Sequence, residues 1–168
     1  MSKKAREPKL FTIGIDSREQ KCYKFSNYSA SATIMNLGHF MGDYTLANRP
    51  EAVRIERKAS ADELCSWFGK KHEQMNKTLV NLASFPVRCI VLEFELKHLL
   101  NPVFAKRMHR NSVLGNMAKI ARLGIPMYFL GGRRNAESFV FRLLSQTLQE
   151  IHKGGIIYSV REYEHQQG

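Results

Sequence analysis

The chain has 168 residues, of which 43% are hydrophobic and 24% are charged, and its formal net charge is +11. Such a composition is typical of a globular protein, and the length fits a single domain. No apolar run approaches the roughly 20 residues that a membrane helix needs, and the N-terminal residues lack the apolar core of a signal peptide. We therefore expect an intracellular protein, cytoplasmic in a prokaryote or virus and nuclear in a eukaryote.

The basic charge is the most informative bulk property. Lysine and arginine recur along the whole chain, and such a field attracts polyanions. This favours a nucleic acid as the partner, over an anionic membrane surface or a basic protein whose lysines are merely solvated. The three cysteines and six histidines are scattered and show no zinc-binding spacing. We expect reduced thiols, no zinc site, and carboxylate oxygens as the ligands of any metal ion.

The first part of the chain predicts a strand and then less regular structure. Residues 1–9 are polar and basic and are expected to form a flexible arm. Residues 10–15 are an apolar, β-rich run that ends at Asp16, which predicts a strand. Residues 17–28 are polar and loop-like, and residues 29–41 are expected to hold a short helix followed by a turn.

A hairpin and a long helix are predicted next. Residues 43–46 and 53–58 have strand-like composition, and the turn residues between them predict a hairpin. Ser60 and Glu63 have the spacing of a capping box, which marks the N-terminus of a helix. Apolar residues then recur at helical spacing as far as Leu82, so we expect one long helix with a single buried face.

The second half of the chain alternates strands and helices. The predicted elements are a central strand at 89–94, a surface connection at 97–111, a helix at 112–123, a strand at 126–130 and a helix at 136–152. Residues 161–168 are expected to fray. The order of elements predicts one α/β domain over residues 10–160, with a mixed sheet flanked by helices.

The predicted hairpin places chemical groups together. Residues two apart in a strand share a face, so Glu56 and Lys58 lie together while Arg57 faces away. If the turn is centred near Arg49 and Pro50, Asp43 lies opposite Glu56, with Cβ atoms roughly 4.5–5.5 Å apart. Two carboxylates at that distance suit Mg²⁺ or Mn²⁺, and an amine beside them can orient water or stabilise charge on a phosphate.

Two further acidic positions stand at the ends of elements. Asp16 closes the first strand and is followed by Arg18 and Glu19. The functional groups of α/β domains are often exposed at such strand ends. Asp62 lies in the first turn of the helix that follows Lys58, where it acts either at the site or only as a partner of the helix dipole.

Three motifs, in this order, resemble the nuclease domain of XPF-type structure-specific endonucleases, within the wider PD-(D/E)XK superfamily. Residues 15–19 match D-x-R-E, residues 42–44 match G-D-Y, and residues 55–62 match E-R-K-x-x-x-D. The strand at 89–93, which ends in glutamate, and the elements at 112–148 are also similar to that family. Nearly the whole chain is covered, and the resemblance implies a restriction-endonuclease-like fold in a short, stand-alone form.

The resemblance also implies the site residues. It implies that Mg²⁺ or Mn²⁺ is bound by Asp16, Asp43 and Glu56, and that Lys58 is the catalytic amine. Supporting or phosphate-contacting roles in the predicted catalytic set are implied for Arg18, Glu19, Arg57 and Asp62. Because Arg57 faces away from Glu56 and Lys58 in a straight strand, either a structural role or a bend in the strand would reconcile its position with this set.

These observations predict a metal-dependent DNA endonuclease that hydrolyses phosphodiester bonds in DNA repair or recombination, with branched DNA favoured over nicked or linear duplex. Two alternatives stay open: an inactive nuclease fold that only binds DNA or scaffolds a partner, and a nuclease that acts on RNA. Basic residues are candidates to contact the DNA backbone, namely Lys70, Lys71, Lys106, Arg107, Arg110, Arg133 and Arg134. The last two predicted helices are apolar enough to form a homodimer interface.

Overall fold

In a computed structural model, which describes residues 11–101 and 108–154, the chain folds around a six-stranded mixed sheet. Four of the sequence predictions lie outside the described residues: the arm at 1–9, the tail at 161–168, Lys106 and Arg107. Helices cover the sheet on both faces, so the predicted α/β architecture is confirmed. None of the helices described is both long and apolar enough to span a membrane.

The six strands are β1 (Phe11–Asp16), β2 (Ala30–Met35), β3 (Tyr44–Leu46), β4 (Val53–Lys58), β5 (Val87–Leu92) and β6 (Met127–Phe129). Their order across the sheet is β2-β1-β3-β4-β5-β6. The short β3 pairs antiparallel with both of its neighbours, whereas β1 with β2, β4 with β5, and β5 with β6 are parallel pairs. β3 therefore joins two parallel parts of the sheet.

The described residues form five helices: α1 (Ala61–Phe68), α2 (His72–Ala83), α3 (Leu96–Leu100), α4 (Arg110–Arg122) and α5 (Arg133–His152). Ser60 caps α1 as the sequence predicts, because its side chain accepts a hydrogen bond of 3.2 Å from the main-chain N–H of Glu63. A capping residue of this kind satisfies one of the main-chain donors that a helix N-terminus leaves without a partner.

Side chains alternate between the two faces of the sheet, so each face has its own hydrophobic core. One core joins β1, β3, β4 and β5 to α5, through residues such as Ile13, Ile55 and Val140. The other core joins β5 to α1, α2 and α4, through residues such as Ile90 and Ile120. Among the described residues, none from β1, β3 or β4 belongs to this second core. That part of the sheet face is left to polar side chains.

Two of the predicted elements are wrong. Residues 29–41 do not contain the predicted helix, because residues 30–35 form β2, an edge strand that pairs only with β1. An edge strand is held by its main-chain pairing, and half of the residues of β2 are exposed while one is buried, so it lacks the apolar alternation that marks a strand in sequence. The predicted long helix is divided at Gly69 into α1 and α2, although its apolar face continues through the buried Met75.

The predicted register of the hairpin is confirmed. Tyr44 lies opposite Ile55 in the pairing of β3 with β4, which is the alignment that puts the preceding residue, Asp43, at the level of Glu56. On the other side of β3, Tyr44 lies opposite Ile15 of β1. Both registers place the buried Tyr44 ring in the core beside α5, and the residue before it on the opposite face.

Gly42 is required immediately before this point. Its φ is +81°, and a Cβ atom there would lie 3.0 Å from the carbonyl oxygen of Ile55 and 3.1 Å from Cγ of Arg54. A side chain would therefore have to push β3 away from β4 while holding a backbone conformation that favours glycine.

We predict that Gly42→Ala lowers the free energy of unfolding by about 1–3 kcal/mol, because strain and close contact act together. The matched control is Gly115→Ala, within α4, where no atom lies within 4 Å of the new Cβ and a helical alanine adds about 0.5–1 kcal/mol. Urea unfolding of both variants measures the difference. A Gly42→Ala variant as stable as the original chain would contradict this account of the β3–β4 contact.

Candidate functional site

Three carboxylates form a row across one face of the sheet. The two registers of β3 put Asp43 at the level of Asp16 on one side and of Glu56 on the other. Main-chain hydrogen bonds fix this level, since Asp16 N–H donates to the Asp43 carbonyl at 2.8 Å. The row lies on the face toward α1 and α2, and Lys58 projects from the same face two residues beyond Glu56.

The row lies in a cleft of about 810 Å³. Its lining brings together all four residues that the sequence places at the centre of the site: Asp16, Asp43, Glu56 and Lys58. Arg18, Glu19 and the exposed Lys71 also line it. The sheet face that the second core leaves uncovered is thus the floor of a polar cleft.

Asp43 and Glu56 repel each other. Burial raises the pKa of Asp43 well above its ordinary value, and the negative charge of Glu56 raises it further. The positive charge of Lys58 and a 2.7 Å hydrogen bond from the Arg57 N–H to Oδ2 of Asp43 act in the opposite direction without cancelling the rise. The position therefore favours a cation beside these two carboxylates.

Lys58 is the cation that occupies this place in the folded chain. Its ammonium group donates a hydrogen bond to Oε1 of Glu56, lies 3.8 Å from Oε1 of Glu63, and stands 4.5 Å from the ring centre of Trp67. Burial lowers the pKa of Lys58, but the charges of Glu56 and Asp43 outweigh burial and the net pKa is raised. Lys58 is therefore held as an ammonium ion, with an aromatic face as part of its surroundings.

Asp16 has a different partner. The guanidinium of Arg18 binds its carboxylate in two places, Nε to Oδ1 at 2.8 Å and Nη2 to Oδ2 at 2.7 Å, and Leu37 N–H adds a bond of 3.2 Å to Oδ2. Burial alone would raise the pKa of Asp16, but the hydrogen bonds and charge of Arg18 lower it below its ordinary value. Arg18 also donates to the Gly38 carbonyl, which ties this pair to the loop before Gly42.

Arg57 lies on the opposite face of the sheet, as alternation along a straight strand predicts. Its Nε donates to Oε1 of Glu93 at 2.7 Å, its Nη1 donates to Oε1 of Glu19 at 3.2 Å, and its guanidinium lies 5.3 Å from the ring centre of Tyr23. All three charged side chains are at most 10% exposed. The Arg57 side chain thus joins the end of β5 to the loop after β1, and only its main-chain N–H contacts a carboxylate of the row.

The three predicted metal ligands do not converge into a complete ligand set. In the described part of the chain, no group of three or more His, Cys, Asp or Glu side chains is arranged to hold a metal ion. Asp43 and Glu56 form a pair, while the carboxylate of Asp16 is engaged by Arg18.

Several of the other predicted site residues lie outside the cleft. Asp62 is exposed in the first turn of α1 and does not line the cleft. Lys70, Arg110 and Arg134 are also exposed outside the cleft lining. Arg133 is bound within the fold, because it donates to the carbonyls of Lys21 and Cys22 at 2.9 and 2.7 Å and contacts Glu93 at 3.4 Å. Homodimerisation through α4 and α5 stays a prediction.

The sequence gives no signal for three residues of the cleft. Trp67 lies on the buried side of α1 and would be assigned to the core from its spacing, yet its ring also contacts Lys58. Gln74 lines the cleft from α2, and Phe40 lines it from the loop between β2 and β3. Their positions depend on how α2 and that loop pack, which local sequence patterns do not reveal.

Solved structures with the same fold are known. No protein-family model matches the sequence, and a search of curated proteins gives no match. XPF from Aeropyrum pernix, in complex with DNA, aligns with a TM-score of 0.64 and 16% identity over 83% of this chain and 66% of that chain. Another structure of XPF from Aeropyrum pernix gives a TM-score of 0.64 and 15% identity over 81% of this chain and 61% of that chain. This chain has the XPF-type nuclease fold.

The fold implied by the three sequence motifs is therefore confirmed. The identity of 15–16% carries the likeness as far as the fold, and the chain spans less than two thirds of the length of the two XPF chains it matches. The roles of individual residues depend on the geometry of the cleft itself.

We predict that Glu93→Gln lowers the free energy of unfolding by about 2 kcal/mol, since it weakens a buried, charge-assisted hydrogen bond to Arg57 while Glu19 remains. The matched control is Glu51→Gln, which removes the charge of a carboxylate paired with Arg49 at 2.6 Å, where both side chains are at least half exposed. The control should change stability by less than about 0.5 kcal/mol. Equal effects in thermal and urea unfolding would show that the Arg57 contacts add nothing beyond a surface pair.

We also predict that Asp43→Asn stabilises the metal-free protein by about 0.5–2 kcal/mol, because it removes the repulsion with Glu56 and keeps an acceptor for the Arg57 N–H. The sign follows from the raised pKa of Asp43. A carboxyl group whose pKa rises on folding destabilises the fold while it is ionised.

The gain should therefore depend on pH. It should be complete above the raised pKa of Asp43 and should disappear as the pH falls toward the unfolded value of about 3.9. Urea unfolding in EDTA across this range measures it. Destabilisation by Asp43→Asn at neutral pH would contradict the proposed repulsion.

Proposed function

We propose that the chain is a metal-dependent endonuclease that hydrolyses phosphodiester bonds in DNA. The observation that carries the proposal is the row of Asp16, Asp43 and Glu56 across one sheet face, with the Lys58 ammonium in the same cleft. Supporting it are the XPF-type nuclease fold and the DNA in one of the XPF structures with which the chain aligns. The net charge of +11 is suited to a polyanionic substrate.

The donor groups of the row fit a hard divalent cation such as Mg²⁺ or Mn²⁺. All are carboxylate oxygens, which these ions prefer. The raised pKa of Asp43 shows that a positive charge beside Asp43 and Glu56 would relieve an existing repulsion. We propose that these two residues hold the ion, and that Asp16 joins them where Arg18 releases its carboxylate. Such an ion, when bound, lowers the pKa of a water ligand and stabilises charge on the phosphate oxygens.

The residues of the chain supply the rest of the proposed chemistry. Lys58 is kept protonated by Glu56 and Asp43, so it can donate hydrogen bonds to a phosphate oxygen on which negative charge develops. Trp67 covers one side of the ammonium and limits the positions that it can adopt. Arg18 and Lys71 line the same cleft and can bind phosphates on either side of the cleaved bond. We propose that Glu19, which lines the cleft, supports the site by its ion pair with Arg57.

Branched DNA is the substrate that we favour. Supporting this is the cleft lining, which includes cationic side chains from different elements, Lys21 in the loop after β1 and Lys71 at the start of α2. A cleft with basic groups from two elements can hold two diverging backbone segments. A function in DNA repair or recombination would follow from such a substrate.

A cleavage panel tests the proposal. Labelled forked and linear duplexes are incubated with Mg²⁺, Mn²⁺ or EDTA, and cleavage is expected with either metal and not in EDTA. Lys58→Ala should lower the rate by about 10²- to 10³-fold, as loss of one transition-state donor does, and Asp43→Asn should abolish it. Lys153→Ala, which removes an exposed lysine paired with Glu150, is the matched control and should cleave normally.

The same panel separates the alternatives. A scaffold would bind the fork in all three conditions and cut in none. An RNA-directed nuclease would be recognised by an RNA competitor that suppresses DNA cleavage at lower concentration than DNA does. Circular dichroism of each variant shows whether a loss of activity reflects a loss of folding.

A further inference from the structure

A second cavity, of about 400 Å³, lies beside the cleft. It is formed by Phe40, from the loop between β2 and β3, and by four residues on one side of α2: Asn76, Lys77, Val80 and Asn81. Phe40 also lines the cleft, so the two cavities share a wall. A molecule bound in the cleft therefore lies next to this cavity, with Phe40 between the two.

The walls of this cavity are apolar and exposed. Val80 is 68% exposed, the highest value among the large hydrophobic side chains that the structure describes. Phe40 is partly exposed and has a φ of +59°, which is unusual for a residue other than glycine. The side-chain amide of Asn81 donates a 3.0 Å hydrogen bond to the Phe40 carbonyl and holds it in this conformation. Strain retained at a partly exposed aromatic residue favours a functional role for that residue.

Positive charge stands at the rim. The Lys77 ammonium lies 5.7 Å from the ring centre of Phe40, and that of Lys119 donates to Oδ1 of Asn76 at 2.7 Å. The acidic residue Glu73 pairs with Lys77 at 2.8 Å, where both side chains are mostly exposed. Such an exposed ion pair is weak and can open when a phosphate competes for the lysine.

We propose that this cavity binds one unpaired nucleobase of the DNA strand whose backbone lies in the cleft. The inference rests on the proposed function and adds a reason for specificity. The base would stack on Phe40, with Val80 against it and the Asn81 amide near its edge, while Lys77 and Lys119 lie close to the adjoining phosphates. Stacking on an aromatic side chain suits any base, so the cavity would select DNA with a single-stranded segment, not a sequence.

The charge and size of the cavity favour this occupant over a protein partner. A volume of about 400 Å³ is at the lower end of the range for small-molecule sites, which suits a single planar group better than the face of a helix. The two lysines at the rim suit the phosphates that necessarily accompany a base in a strand. The wall shared with the cleft places that base next to the proposed cutting site.

Binding in EDTA tests the inference without cleavage. The affinities for a forked duplex and for a fully paired duplex of the same length are measured by fluorescence anisotropy for the wild type, Phe40→Leu and Val80→Ser. Both variants should weaken binding to the fork about tenfold or more, the range expected for loss of base stacking, and leave binding to the paired duplex within about twofold. Ile34→Ser is the matched control, since Ile34 is 60% exposed on β2 and lines neither cavity.

A fluorescent base gives a second readout. With 2-aminopurine as the first unpaired nucleotide of the fork, its emission should change when wild-type protein binds and change less with Phe40→Leu. An equal loss of affinity for forked and paired DNA, or no loss for either, would overturn the inference. If the wild type binds the fork and responds as expected but cuts no DNA with either metal, the proposed nuclease function fails while base binding stands. If both variants cut DNA normally and bind the fork as tightly as the wild type, base binding in this cavity fails while the proposed nuclease function stands.

Discussion

The antiparallel pairing of β3 with both β1 and β4 is the constraint on which the site depends. Because side chains alternate along a strand, a slip of one residue would turn Asp43 toward α5 and bury its carboxylate in an apolar core. The pairing of only three residues in β3 would stabilise the register weakly against such a slip. The register is stabilised mainly by Tyr44. Its buried ring stacks on the ring of Tyr23, with 5.0 Å between ring centres, and its hydroxyl accepts a 3.0 Å hydrogen bond from the Tyr23 N–H. The residue that fills the core thus determines where its charged neighbour points.

The fold brings together carboxylates whose negative charges repel each other. Asp43 and Glu56 are held at one level of the sheet although their charges repel. Burial and this repulsion together raise the pKa of Asp43. The positive charge of Lys58 offsets part of this repulsion. Lys58 is itself buried, so the negative charges of Glu56 and Asp43 in turn keep it protonated. Asp16 avoids the conflict because Arg18 neutralises it. A further positive charge beside Asp43 and Glu56 would reduce the repulsion between them.

The sequence predicts the parts of the fold that are set locally. Turn residues near Pro50 suffice to place Asp43 opposite Glu56, and the Ser60 cap locates α1, because both signals act within a few residues. β2 escapes prediction because its stability comes from pairing with β1 and little of it is buried. The contacts of Arg133 escape prediction for a similar reason, because only the folded loop after β1 supplies the carbonyls that accept its hydrogen bonds. Its contact with DNA stays a prediction.

The side chains of the sequence Glu56-Arg57-Lys58 lie on both faces of β4. Glu56 and Lys58 enter the cleft, while the side chain of Arg57 is fixed on the other face by Glu93 and Glu19. The same residue donates its main-chain N–H to the Asp43 carboxylate at 2.7 Å. An ion cluster centred on the opposite face of β4 therefore helps to position a carboxylate of the row, because the peptide unit of Arg57 contacts Asp43 while its side chain contacts the two glutamates. A lysine at this position would carry the charge but could not form the planar, forked contact with two glutamates, so the main chain that holds Asp43 is itself positioned by the arginine side chain.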